Sequence, residues 1–270
     1  MNIGWLSGGR DPAARNLLAD VVGRAGLDDI PLNIRVVFCD REAGESEESD
    51  LFLELADDLG FSTVCLSSAR SWQIAQANGD SRERWRADFH DQAMKILEPF
   101  ALDVLVLAGY MLIVSPATCG RYAMLNLHPA LPGGPTGTWQ QVIWALLDAG
   151  AQETGALINV VTPDLDRGPV VAFDRFPIVG DGFDPLWRSF RQKAAAGGVA
   201  AVAAAEGEKE PLFAAVRRCG EQREIPLLYQ TVKAFVTGRL VTDGCSVRGV
   251  GITLPLDLTA DVTAELQARG

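Results

Sequence analysis

Asn126 and His128 are the residues in this chain best suited to do chemistry. They lie two positions apart in Met124-Leu125-Asn126-Leu127-His128-Pro129, an apolar run that ends in a loop rich in proline and glycine. Residues two apart on a strand share a face, so the amide and the imidazole would point the same way. A carboxylate follows in Asp164-Leu165-Asp166-Arg167-Gly168-Pro169, a turn-like segment directly after a second apolar run, Ala156-Leu157-Ile158-Asn159-Val160-Val161. An amide donor, a group that titrates near neutrality and an acid, gathered at strand ends, can stabilise a developing oxyanion and move protons. A histidine at a strand end is more often a packing or surface residue. His128 stands apart because the chain has only two histidines, the other being His90. A buried imidazole in a Leu-Asn-Leu-His-Pro setting needs hydrogen-bond partners.

The elements that must position these groups alternate. Apolar runs at 2–6, 33–39, 63–66, 103–109 and 124–127 read as strands, and helical periodicity marks 13–25, 48–59, 81–100, 115–121 and 139–149. Residues 67–80 read as a polar interval. The most apolar run, Asp103-Val104-Leu105-Val106-Leu107-Ala108-Gly109, has the character of a parallel strand covered on both faces. This alternation predicts an α/β fold with a doubly wound, mostly parallel sheet and right-handed crossovers. After Gly180 the pattern turns helical, with helices expected over 185–205, 209–218 and 223–236. The Ala/Gly-rich run from Ala194 to Ala205 reads as close helix packing or a junction, and the tail from Arg239 holds strand-like runs such as 247–254. The expected organisation is an α/β domain over 1–180, with a helical segment and short β tail over 181–270 packed on it.

Composition narrows the function. A chain of 270 residues can bury a proper core without disulfides or metal. Its net charge of -11 argues against a nucleic-acid surface, which needs clustered Lys and Arg. Cys39, Cys65, Cys119, Cys219 and Cys245 form no CxxC pair and have no neighbouring histidine, so no metal site is expected, and the odd, unpatterned set suits a reducing cytoplasm. No run approaches the roughly 20 apolar residues of a membrane span, and the N-terminus has no signal-peptide pattern. The start offers Gly8-Gly9 but no G-x-G-x-x-G, which leaves nicotinamide binding weakly supported. The expectation is a cytoplasmic protein acting on a small molecule, with no nucleic-acid or membrane partner and with homodimerisation open.

From Asn126 to Pro169 the sequence resembles the folate-dependent formyltransferase family, above all its members that formylate glycinamide ribonucleotide in purine biosynthesis. In that family a strand ends in Asn-x-His-Pro, a Leu-Pro loop with glycines follows, and a later Leu-Asp-x-Gly-Pro supplies an acid. Here those positions read Asn126-Leu127-His128-Pro129, Leu131-Pro132-Gly133 and Leu165-Asp166-Arg167-Gly168-Pro169. The similarity extends from the first strand to the helix around Pro226-Leu227-Leu228.

The resemblance implies a Rossmann-like formyltransferase fold and transfer of a formyl group from 10-formyltetrahydrofolate, as cosubstrate, to a primary amine without a metal. Asn126 and His128 would stabilise the tetrahedral intermediate, and Asp166 would hold the histidine charged and order a proton-relaying water. Gly109, Tyr110, Met111 and Leu112, with Asp164, would line the pterin. Gly8, Gly9 and Arg10 would face an anion, Arg82 the acceptor's phosphate and Glu221 the acceptor itself. Several positions depart from the family. The first loop is Ser7-Gly8-Gly9-Arg10-Asp11-Pro12 in place of a compact Gly-Asn-Gly-Ser-Asn, and Pro132 to Trp139 replaces a basic, histidine-bearing loop. Leu112 stands for an arginine and Asn159 for a second histidine. These changes bear on the acceptor more than on formyl chemistry, so an amino-sugar nucleotide or a modified amino acid is an alternative acceptor. A nonenzymatic folate-binding relative would have little need of the complete Asn126, His128 and Asp166 set. A deformylase would be expected to carry an N-terminal regulatory domain, whereas this chain starts at its first strand. The enlarged segment 181–218 could serve as a lid or a dimer contact.

Overall fold

β1 (Ile3–Ser7) is buried along its whole length, as the core strand of a parallel sheet must be. Gly4 lets it pack closely, since a Cβ there would meet the Leu105 and Leu102 side chains at 2.6 and 2.8 Å and force them to shift. The computed structural model describes residues 1–268. The chain folds as two compact units interleaved along the sequence. One comprises 1–126, 159–169 and 231–254, and the other 127–158, 170–230 and the stretch from 255.

In the first unit, α1 (Pro12–Leu27) follows β1, opened by Pro12 in its first turn and by the Asp11 side chain, which accepts from the Ala14 N–H at 3.0 Å. Then come β2 (Ile34–Cys39), α2 (Glu47–Asp58), β3 (Thr63–Cys65), α3 (Ser68–Ala77), α4 (Arg82–Leu97), β4 (Val104–Leu107), α5 (Pro116–Cys119) and β5 (Ala123–His128). The pairings are all parallel and give the order β5-β4-β1-β2-β3. The chain thus winds outward from β1 to β3 and returns past β1 to β4. That reversal between β1 and β4 is the point at which open α/β sheets hold ligands, beyond the carboxyl ends of the strands. The core on one face joins Leu6, Val36, Phe38, Leu105 and Met124 of the sheet to Trp85, Phe89, Met94 and Leu97 of α4.

Helix α3 lies inside the stretch that reads as a polar interval. Its only buried residues are Ser68 and Ala75, so it has no apolar stripe to betray it, and it is started by Ser67, which accepts from the Arg70 N–H at 3.0 Å.

The second unit takes in α6 (Trp139–Asp148), most of β6 (Glu153–Val160), β7 (Val170–Pro177), α7 (Asp184–Gly197), α8 (Val199–Glu206) and most of α9 (Pro211–Val236). β6 and β7 are neighbours, closed by Ile178 N–H to Gln152 O at 2.9 Å. The sequence does not announce β7 because Asp174 interrupts its apolar run. Asp174 is fully buried and held by two 2.6 Å contacts from Arg223. The helices expected over 209–218 and 223–236 form the single α9, with Pro226 inside it. Ion pairs from Arg217 to Glu221 and Glu224 span the polar stretch between the two expected helices. Conversely, 185–205 divides at Gly198, whose φ of 81° favours glycine. Ile143, Phe176, Trp187, Phe190, Val202 and Phe213 form this unit's core.

After α9, β8 (Leu240–Asp243) and β9 (Ser246–Gly249) make an antiparallel hairpin in the first unit. In the second, β10 (Leu256–Asp257) pairs parallel with β7 and leads into α10 (Thr259–Gln267). The strand-like run 247–254 is therefore a strand only through Gly249. Among the described residues no helix is long and apolar enough to cross a membrane.

Candidate active site

β5 presents Asn126 and His128 near its carboxyl end, as their spacing requires. In the first unit the Asn126 Nδ2–H donates to Asn159 Oδ1 at 3.4 Å, and Asn159 donates onward to Val160 O at 3.3 Å. Asn159 is buried. One amide hydrogen of Asn126 is thereby directed, and the other stays available as a donor. In the second unit His128 is buried and its Nε2–H donates to the Pro135 carbonyl at 2.9 Å. A carbonyl can only accept, so this bond assigns a proton to Nε2 and fixes the plane of the ring.

Asp166 sits in a tight turn that begins at the end of β6. Val160 N–H donates to Pro169 O at 2.9 Å, Arg167 N–H to Asp164 O at 3.1 Å, and Thr162 Oγ1–H to the same oxygen at 3.1 Å. Gly168 is obligatory, since a Cβ there would fall 1.7 Å from Val160 O. Asp166 itself adopts φ 55°, a left-handed conformation that side chains other than glycine seldom take. Backbone strain of this kind concentrates where a side chain must be aimed. Asp164 is exposed and Asp166 half-buried.

At the switch point Gly8 N–H donates to Gly109 O at 3.0 Å, which ties together the loops that follow β1 and β4. Arg10 pairs through Nη2 with Asp40 Oδ2 at 2.8 Å, and Ser68 Oγ–H donates to the same oxygen at 2.8 Å. The Asp11 carboxylate already caps the amino end of α1. Tyr110 turns its ring inward, whereas Met111 is 65% and Ile113 43% exposed. A buried anchor beside exposed apolar side chains gives this loop a surface that a flat ring can cover.

The formyl transferase family matches residues 64–201, just over half of the chain. Over 192 residues the chain is 34% identical to phosphoribosylglycinamide formyltransferase of Escherichia coli (strain K12), covering 69% of this chain and 78% of that protein. The chain belongs to the formyl transferase family. It is a folate-dependent formyltransferase, and the family's formyl donor is 10-formyltetrahydrofolate. The solved phosphoribosylglycinamide formyltransferase of Coxiella burnetii matches with TM-score 0.65 at 21% identity, over 95% of this chain and 98% of that one. A formyltetrahydrofolate deformylase of Burkholderia mallei matches with TM-score 0.59 at 19% identity, over 92% of this chain and 69% of that one. At these identities the likeness is one of fold.

Arg82 is exposed and places its guanidinium 4.5 Å over the Trp72 ring. Glu221 is half-exposed on α9 and pairs with Arg217 Nε at 2.9 Å. Arg217 in turn reaches Glu224 at 2.8 Å and stacks 4.5 Å over Trp139, the first residue of α6. Burial raises the Glu224 carboxyl above its ordinary range, outweighing the pull of Arg217. Asp40, His90 and Arg217 escaped the sequence reading. Asp40 alone carried a signal, as a carboxylate one residue beyond the carboxyl end of a core strand.

A cavity of about 480 Å³ lies in the first unit, lined by Cys119 of α5, by Val161, Thr162 and Pro163 just before Asp164, and by Cys245 and Ser246 of the hairpin. Among the described residues no cluster of His, Cys, Asp or Glu could hold a metal.

Proposed function

We propose that this formyltransferase passes the formyl group of 10-formyltetrahydrofolate to the primary amine of glycinamide ribonucleotide. The observation that carries the reading is Asn126 and His128 on β5 with Asp166 in the turn after β6, in a chain 34% identical over 192 residues to an enzyme named for that acceptor.

The amine nitrogen attacks the formyl carbon and negative charge builds on the formyl oxygen. The undirected N–H of Asn126 and the imidazole of His128 stabilise that charge more than they stabilise the ground state. The carbon–nitrogen bond to the folate then breaks, the amine loses a proton and the folate nitrogen gains one. His128 and a water ordered by Asp166 carry this exchange. The apolar side chains of Met111 and Ile113, with the Gly109–Leu112 backbone and Asp164, receive the pterin. Gly8, Gly9, Arg10, Arg82 and Glu221 receive the acceptor.

A second reading, transfer to a different amine, is favoured by one observation. Arg10 Nη2 is paired with Asp40, and the amino end of α1 is capped by Asp11, so the loop after β1 has fewer groups to offer an acceptor phosphate.

The test is a spectrophotometric assay with 10-formyltetrahydrofolate and glycinamide ribonucleotide, run beside His128→Ala and Asp166→Asn. Turnover that both substitutions abolish supports the first reading. Folate binding without turnover moves the reading to the second, and absence of folate binding refutes both.

A further inference from the structure

We propose that His90 is a positioning residue, a buried imidazole that holds Tyr110 and through it fixes the Gly109–Leu112 loop at the switch point of the sheet. The inference rests on the reading that this loop receives the pterin.

His90 lies on α4 at 1% exposure and is not part of the catalytic set. Its Nδ1 meets Arg86 O at 2.7 Å, one helical turn back. The carbonyl can only accept, so Nδ1 carries a hydrogen, and in the neutral ring Nε2 is left as an acceptor. That acceptor faces the Tyr110 hydroxyl at 3.3 Å. The Tyr110 ring packs edge-on against His90 and against Phe38 of β2, with centroids 6.2 and 6.3 Å away. One residue before Tyr110, Gly109 takes φ 73° and accepts the Gly8 N–H. One residue after it, Met111 is exposed. His90 and Tyr110 thus form the floor beneath a loop whose upper side is free, and the floor is tied to the loop after β1.

In the neutral imidazole Nε2 accepts from the Tyr110 hydroxyl. A proton on Nε2 would reverse the bond, the N–H donating to the phenolic oxygen, and would place a cation beside Phe89 and Tyr110. The charged groups acting on the ring are Arg86 of its own helix, which disfavours the cation, and Asp40 beyond β2, which favours it. Desolvation exceeds both and lowers the His90 value from its ordinary position, so the neutral form persists to lower pH than in an exposed histidine. Arg10 and Asp40 act on Tyr110 with opposite sign, and burial keeps its hydroxyl protonated.

Amide hydrogen exchange of residues 107–113 at about pH 7.5, above the ordinary histidine value, tests this once corrected for intrinsic rates. His90→Phe and Tyr110→Phe should speed the loop's exchange by roughly tenfold, the scale of one lost hydrogen bond. His90→Gln offers Tyr110 another acceptor, so it should restore protection and carries the test if His90→Phe fails to fold. Exchange in His90→Phe and Tyr110→Phe that matches wild type overturns the proposal. Binding of 10-formyltetrahydrofolate, measured on the same proteins, should weaken by the same factor. Altered exchange with unaltered binding leaves the clamp standing and overturns the pterin reading of the loop.

Discussion

Arg10 and Asp40 form an ion pair at 2.8 Å in which the carboxylate is fully buried and the guanidinium is a third exposed. Among the described residues Asp40 Oδ1 and Arg10 Nε have no hydrogen-bond partner. Gly8 leans on the pair so closely that a Cβ would lie 2.7 Å from Arg10 Nε and 2.8 Å from Asp40 Oδ1. Asp40→Asn leaves Arg10 without its counter-charge. Because Arg10 reaches solvent, the cost should be about 2 kcal/mol, toward the lower end for a buried pair. Urea denaturation should show a lower midpoint with an unchanged slope. Gly8→Ala should cost as much by displacing the pair, and Arg10→Met should cost less than Asp40→Asn if the buried partner is also made neutral.

Asn126→Ala removes the donor assigned to the oxyanion. It should lower kcat on the order of a hundredfold or more, with little change in KM for either substrate, because the interaction belongs to the transition state. Asn159→Leu keeps Asn126 and removes the acceptor that directs it, so its loss of kcat should be smaller. Equal losses from both variants, in steady-state assays at saturating substrate, would contradict separate roles.

Arg217 holds two carboxylates, of which Glu224 is the more buried. Arg217→Leu should destabilise the protein by about 3 kcal/mol at neutral pH, since it strands a buried charge. The sign of the pH dependence follows from the raised Glu224 value. In the folded protein this carboxyl takes up a proton at higher pH than its ordinary 4.5, so its contribution to stability is fully present below 4.5 and is lost as pH rises through the folded value. Removing Arg217 should raise that value further. The deficit of the variant should therefore shrink on acidification, and Arg217→Leu combined with Glu224→Gln should recover most of it at neutral pH. Thermal melts across a pH series check both statements.

Gly168→Ala forces a methyl group to within 1.7 Å of the Val160 carbonyl, which must break the turn that ends β6. We expect a loss of at least about 2 kcal/mol together with loss of turnover, since the same turn sets the conformation of Asp166. A variant with wild-type stability and activity would show that the turn is dispensable.

The strand ends proposed to carry the chemistry were legible in the sequence. The apolar runs at 103–109 and 124–127 match β4 and β5, and the two-residue spacing of Asn126 and His128 survives as a shared strand face. Local periodicity suffices there because a strand covered on both faces is apolar at nearly every position. It fails at β7, where Asp174 breaks the run, and at α3, whose buried positions are a serine and an alanine. It fails again at α9, where a polar stretch is kept helical by Arg217 and its two glutamates. A polar residue inside an element is read locally as a break, and its partner reverses that reading, a distant one at Asp174 and a nearby one along α9.

The amino-acid sequence by itself carried the family and the parallel α/β fold, and it put forward Asn126, His128 and Asp166 as the proposed set, because these depend on residue types and on short spacings along one chain. The tertiary structure decided what each polar group is bonded to. It set Asp40 against Arg10, Asp174 against Arg223 and His90 beneath Tyr110, pairs separated by 30, 49 and 20 residues. It also divided the chain into interleaved units, with β5, β6 and α9 each running from one into the other. The physical reason is that burying a charge or an imidazole requires a partner supplied by the fold, and neighbours along the chain carry no record of which residue that partner is.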